Sequence, residues 1–226
     1  MDEFIVISLG GSIIVPDKVD TAFLRNFRNF ILRQTRKGQR FIIICGGGKT
    51  ARNYMAAASE VRKIGAADLD WIGIHATRLN AQLLRGVLGK VALDRIIKDP
   101  TKKTSTKAAV IGAAGWKPGV STDYDAVLLA KTHGAKVILN LTDVDYVYDK
   151  NPKKFADARP IKQLSWSYFK KIVGGKWTPG LHAPFDPMAA KMAEKLKLKV
   201  VTLNGRNIKN VENFLDGKEF IGTIIQ

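Results

Sequence analysis

The chain has 226 residues, a single cysteine and a formal net charge of +17, and its length suits one compact domain with a substantial core. No run of about eighteen apolar residues argues for a membrane span, the lone Cys45 excludes an internal disulfide, and no Cys/His spacing offers a zinc site. The basic residues are scattered in small clusters (Lys102-Lys103, Lys153-Lys154, Lys170-Lys171, and between Lys191 and Lys199), without an arginine-rich tail or zinc-finger pattern; they suit a solvated surface that attracts small phosphorylated ligands better than nucleic acid.

The acidic start Met1-Asp2-Glu3 has no basic region before the first apolar run, so a cytoplasmic protein is expected. That run predicts a strand over 3–9, ending at Gly10-Gly11-Ser12. Phe23, Phe27, Phe30 and Ile31 recur at helical spacing and predict a helix near 20–36. A second strand over 40–45 ends at Gly46-Gly47-Gly48 and leads into a helix near 49–64. A helix near 70–89 begins at Asp70 and carries Trp71, Ile74, Leu79, Leu83 and Leu84. Ala108 to Ile111 reads as a strand before the loop Gly112 to Gly119. A helix near 122–133, a strand over 136–141 and a hairpin around Tyr146-Val147-Tyr148 follow. Helices near 164–173 and 187–197, a strand over 199–203, a short helix and a last strand over 219–225 complete the pattern. The segment 151–185 is rich in Pro, Gly and Lys and reads as loop and lid. Strands alternating with helices predict an α/β three-layer sandwich: a mainly parallel central sheet covered by helices on both faces, with residues 1–226 as a single domain.

Chemistry concentrates where strands meet glycines. Glycine lets the backbone approach an anion and turn its N–H groups toward it, and a following helix N-terminus adds a favourable dipole. Two such turns, the second followed by Lys49 and Arg52, suggest a polyphosphate held between strand ends. The two cations oppose the helix macrodipole by about 0.3–1 kcal/mol each when exposed, a placement an anion in the turn would explain. A Walker loop is excluded because Ile43 stands where its first glycine belongs. Gly46-x-Gly48-x-x-Ala51 satisfies a relaxed dinucleotide fingerprint, but Asp68 and Asp70 open a helix instead of ending a strand, and the Gly10 turn has no role in that scheme. Asp70 suits either a helix cap or a pair of ligand hydroxyls. The loop Trp116-Lys117-Pro118-Gly119-Val120-Ser121-Thr122 offers hydroxyls and N–H groups to a phosphate or a carbonyl-rich base before Asp123. Thr142, Asp143, Asp145 and Tyr148 surround the end of a strand, the usual ligand edge of a parallel sheet. No Ser/His/Asp or Cys/His nucleophile set is present in the sequence.

These motifs, in this order, resemble the UMP kinases of the archaeal type, within the amino acid kinase family. The resemblance spans nearly the whole chain, adding Asp70-x-x-Gly73-Ile74-x-Ala76-Thr77-Arg78-x-Asn80-Ala81, Pro118-Gly119-x-Ser121-Thr122-Asp123, Phe185-Asp186-Pro187-x-Ala189-Ala190-Lys191 and Gly222-Thr223 to the two glycine turns. It implies that Gly10, Gly11, Ser12, Gly48 and Arg52 hold the ATP phosphates, with Thr142, Tyr148 and Asn151 on the adenine and ribose side. It implies that Gly47, Asp70 and Trp116 through Thr122 hold UMP, so that the N-terminal part serves mainly the acceptor and the C-terminal part ATP. Arg52, Asp123 and Lys49 are the implied catalytic residues, with Mg²⁺ arriving with ATP; no metal ligand is assigned. A hexamer built as a trimer of dimers is also implied. The implied reaction is in-line transfer of the ATP γ-phosphoryl to UMP, giving UDP and ADP. Three positions depart from the family pattern. Ser8 lacks the basic side chain many relatives have, though not typically the archaeal ones; Tyr146 replaces a glycine, and Asn151 replaces an acidic residue. Two alternatives stay open: a same-fold kinase for another small acid or phosphate acceptor, and a nucleotide-binding relative that stores or senses without turnover.

Overall fold

The computed structural model describes residues 3–150, 155–173 and 184–226. Its centre is a seven-stranded sheet. β1 (Phe4–Leu9), β2 (Arg40–Cys45), β3 (Val110–Ala113) and β4 (Val137–Thr142) are nearly continuous apolar runs, as strands covered on both faces require. After the two-residue strands β5 (Val147–Tyr148), β6 (Pro160–Ile161) and β7 (Gln163–Leu164) come β8 (Lys199–Asn204) and β9 (Thr223–Ile225). The order is β3-β2-β1-β4-β8-β9-β7, with β8 and β9 antiparallel and every other neighbouring pair parallel.

Helices fill both faces. On one lie α1 (Gly11–Ile14), α2 (Thr21–Arg36), α4 (Ala66–Leu88) and α8 (Ile208–Leu215), packed against Ile7, Leu9, Ile43, Leu139 and Leu203. On the other lie α5 (Thr122–His133), α6 (Trp166–Val173) and α7 (Pro187–Lys195), packed against Val6, Ile44, Ile138 and Val200. α3 (Gly48–Val61) packs on α4 and buries only Ala51. Local chemistry sets the helix ends. Asp20 accepts the Phe23 N–H, Ser121 accepts the Tyr124 N–H, and Asp186 accepts from Met188 and Ala189 behind Pro187 at the first helical position. Gly134, at φ 76°, closes α5 in the left-handed conformation.

Connections from β1 to β2 and from β2 to β3 run over the first face, and those from β3 to β4 and from β4 to β8 run over the second. The switch falls between β1 and β4, so a crevice opens at the carboxyl edge beside Gly10. At this edge one face carries a polar row in register: Ser8 beside Asn140, Asn140 beside Thr202, Thr202 beside Thr223.

The three-layer sandwich predicted from the sequence is the observed one. Several boundaries differ. The helix expected from Asp70 starts at Ala66 behind Gly65, so Asp70 is not its cap. The third strand lies over 110–113, and the last is shortened to 223–225. The hairpin at Tyr146–Tyr148 is β5 paired with the distant β6. The helix expected near 164–173 is α6, which buries Trp166 and Phe169 in the core because their spacing puts both on its inner face; residues 151–154 and 174–183 of the segment expected to be loop and lid lie outside the described residues.

Candidate active site

The two glycine turns interlock. A Cβ added to Gly11 would lie 2.1 Å from the Gly48 nitrogen, and one added to Gly48, at φ 64°, would lie 2.3 Å from the Gly11 oxygen. Only glycine permits this approach. Asn80 of α4, itself buried, donates from Nδ2 to the Gly46 and Gly47 carbonyls at 2.8 and 3.2 Å, which turns those oxygens toward the helix. Of the first-turn N–H groups of α1 and α3, Ile13's donates to the Gly10 carbonyl and Lys49's to the Val15 carbonyl, while those of Gly11, Ser12, Gly48 and Thr50 make no backbone hydrogen bond among the described residues and can meet an anion. Ser12 Oγ lies 3.5 Å from the Arg52 guanidinium, so the first turn and α3 converge on one spot. Arg206, which sequence reasoning did not single out, donates to the Ser12 carbonyl at 3.2 Å and pairs with Asp20 at 3.0 Å.

Beside these turns is a cavity of about 280 Å³. Of the residues expected at the acceptor or phosphates, Gly47, Gly48, Arg52, Asp70, Val120 and Thr122 line it. Met55, Leu69, Gly73, Ile74 and Thr77 line it too; the last three were marked in the sequence only by their place in a motif, and Met55 and Leu69 not at all. A larger hollow of about 350 Å³, walled by Ser165, Trp166, Glu194, Lys197 and Gln226, holds none of the expected residues. The site is placed at the strand ends, where free donors converge.

Four side chains from two helices hold the loop after β3. Thr77 Oγ1 donates to the Ile74 carbonyl at 2.7 Å and accepts the Gly115 N–H at 2.8 Å. Asp125 Oδ2 accepts the Trp116 N–H at 3.0 Å, and Arg78 donates to the Trp116 carbonyl at 3.3 Å. Asp70 Oδ2 accepts the Gly119 N–H at 2.8 Å. Lys117 folds its ammonium 4.0 Å over the Trp116 ring. Pro118 and Gly119, at φ 77°, form the bend between these anchors. The Ser121 hydroxyl caps α5.

Asp123 sits at the first turn of α5, beneath the crevice. Its carboxylate accepts from Ser8 Oγ at 3.0 Å and from the Asp186 N–H at 3.1 Å. Burial, reinforced by the nearby Asp186 charge, pushes its pKa up to about 6 against the pull of the two hydrogen bonds. Ser8, noted in sequence only as a departure, is the side chain that ties β1 to this carboxylate.

On the far side of the crevice, Thr142 ends β4 one residue beyond Leu141, whose carbonyl accepts the Gly10 N–H at 2.9 Å. Its hydroxyl accepts the Val144 N–H at 3.2 Å. Tyr148 lies on β5, its ring 6.3 Å from that of Tyr146 and nearly perpendicular to it. Asn151 lies outside the described residues. Lys49 follows Gly48 on α3, its N–H donated to the Val15 carbonyl at 3.0 Å. Among the described residues no group of three or more His, Cys, Asp or Glu side chains is placed to hold a metal ion, and no helix is long and apolar enough to cross a membrane.

The model of the amino acid kinase family matches residues 3–204. A uridylate kinase of Thermoplasma volcanium is 35% identical over 231 residues, covering 100% of this chain and 99% of that protein. One of Methanospirillum hungatei is 32% identical over 224 residues, covering 98% and 94%. The crystal structure of a uridylate kinase from Archaeoglobus fulgidus superposes with a TM-score of 0.84 at 31% identity, covering 98% of this chain and 99% of that one.

Proposed function

This chain belongs to the amino acid kinase family, and we propose that it transfers the γ-phosphoryl group of ATP to UMP, forming UDP and ADP. The observation that carries the reading is the meeting of the two glycine turns and Arg52 with a cavity walled by Asp70, Val120 and Thr122. An α-phosphate oxygen of UMP attacks the γ-phosphorus. That O–P bond forms as the bond to the β-phosphate oxygen breaks, and ADP leaves with the electron pair. The attacking oxygen is already ionised, so no general base is needed. Positioning and charge stabilisation supply the rate.

In this reading Gly11, Ser12 and Gly48 hold the ATP phosphates through backbone N–H groups, and Gly10, whose own N–H is tied to the Leu141 carbonyl, sets the turn against them. Arg52 and Lys49 balance charge on the transferring group. Asp70 accepts from the UMP ribose, and Gly47 and the loop Trp116 to Thr122 hold its phosphate and base. Asp123 orients the first turn through Ser8. Thr142 and Tyr148 flank the adenosine side, so the N-terminal part of one domain serves the acceptor and the C-terminal part ATP. Mg²⁺ would arrive on the ATP phosphates, whose oxygens would hold it and whose charge it would offset, because the described residues bring no cluster of carboxylate or imidazole ligands together for it. Exposed Tyr54, Val61 and Leu79 on α3 and α4 leave apolar surface for the hexamer, a trimer of dimers, in the same proposal, which sedimentation checks. Phosphorus NMR of ATP, Mg²⁺ and UMP with the protein tests the reaction. UDP and ADP appearing one for one supports it; ADP appearing with inorganic phosphate and no UDP overturns it.

A further inference from the structure

Asp125 has no role in the reaction above, yet it is completely buried on α5 with a carboxylate oxygen, Oδ1, that has no hydrogen-bond partner. Its other oxygen accepts the Trp116 N–H at 3.0 Å. A buried carboxylate with one bond is a costly arrangement unless that bond serves something. Here it fixes the first turn of the loop proposed to hold UMP, beside the Thr77 bond to Gly115 and opposite the Asp70 bond to Gly119.

We propose that Asp125 is a positioning residue for the acceptor nucleotide: its carboxylate holds Trp116 in place, and protonating that carboxylate loosens the loop and weakens UMP binding. The inference rests on the acceptor reading of this loop. The sign follows from linkage. The Trp116 N–H stabilises the charged form while the loop is held; loosening removes that donor, while the packing of α5 on the sheet and α7 keeps Asp125 buried, so the burial that raises its pKa is the same in both states. Falling pH therefore favours the loosened loop. Burial has pushed the Asp125 carboxyl up to about 7, with the Trp116 hydrogen bond and the Lys117 ammonium opposing the rise, so the change falls near neutral pH. The elements packed on α5 carry Arg40 on β2 and Asp186, Lys191, Glu194 and Lys195 around α7, with Asp123, Tyr124, Lys131 and His133 on α5 itself and Arg78 beside the loop. Of these groups and Lys117, it is Lys117 that acts on the Asp125 charge, and it favours the carboxylate.

The test is calorimetric titration of UMP and, separately, of ATP into the full chain at about pH 6 and about pH 8, on either side of the Asp125 transition. Wild type is compared with Asp125→Asn, which keeps an acceptor for Trp116 and cannot titrate, and with Asp125→Val, which has no acceptor. Titration of the UMP phosphate is common to all three and cancels in the comparison. A charged acceptor holds an N–H more strongly than a neutral one by about 1 kcal/mol, so on acidification UMP affinity should fall about fivefold more in wild type than in Asp125→Asn. ATP affinity should change equally in both, and Asp125→Val should bind UMP more weakly at both pH values. Equal pH ratios for UMP in wild type and Asp125→Asn overturn the proposal. Failure of the acceptor reading looks different: wild type then takes up no UMP at either pH, and the proposal falls with it.

Discussion

Gly11→Ala perturbs the point where the two glycine turns touch. The new methyl would lie 2.1 Å from the Gly48 nitrogen, 2.6 Å from the Gly46 carbonyl carbon and 2.7 Å from its oxygen. All three are backbone atoms, so no side chain can rotate away. Ordinary contact begins at 3.4 Å, and reaching it from 2.1 Å moves the turns apart by about 1.3 Å. Overpacking of this kind costs about 1–3 kcal/mol of stability, and a displacement of about 1 Å in a reacting geometry costs about a hundredfold in rate. Urea unfolding and steady-state ADP release measure the two effects. The control is Gly86→Ala: that glycine is in α4 with open space around its Cβ position, and alanine there should stabilise by about 0.5–1 kcal/mol without touching the rate. A Gly11→Ala protein with wild-type stability and turnover would refute the interlocked turns as the phosphate cradle.

Arg52→Ala should lower kcat and kcat/KM for ATP together, by about a hundredfold, because the guanidinium is assigned to charge that develops in transfer; a rise in KM alone contradicts that role. Asp70→Ala should raise KM for UMP about tenfold or more while leaving KM for ATP near its wild-type value, since it removes both the ribose acceptor and the Gly119 anchor. Stability should fall as pH rises from the ordinary carboxylate range through about 6 and about 7. Asp123 and Asp125 both titrate higher when folded than unfolded, so the native state holds protons that the unfolded chain has released. Asp125→Asn should flatten part of that slope and gain stability over wild type at about pH 8 but not at about pH 4, as read by urea unfolding at each pH.

The sheet and its glycine turns were legible because strand signals and site signals coincide there: β1 and β2 are apolar runs that stop at glycines. The start of α4 was not. Its first turn, Ala66-Ala67-Asp68-Leu69, follows a glycine rather than a capping hydroxyl or carboxylate, and the apolar period becomes visible only at Trp71. That is why Asp70 looked like a possible cap when its carboxylate is in fact bonded to Gly119 across the cavity. Ser8 and Asp123 are 115 positions apart, and Thr77 and Gly115 are 38 apart; no local spacing announces such pairs. Parallel connections join them, and only the sheet order brings them together. The strand β7 is two residues long and exists by pairing with β9, so it left no periodic trace. Asp125 sat in plain view beside Asp123, but a second acidic residue in a first helical turn has an ordinary explanation in the helix dipole. Only burial sets it apart.

The most direct test of the account is ADP release from Mg-ATP with UMP, CMP, dUMP, isopentenyl phosphate, N-acetylglutamate and carbamate offered in turn. Turnover with UMP far above the others is the predicted result, because Asp70 and the held loop were assigned to its ribose and base. Silence with UMP while ATP still binds would contradict that assignment, and brisk turnover with another acceptor would move the cavity to a different substrate.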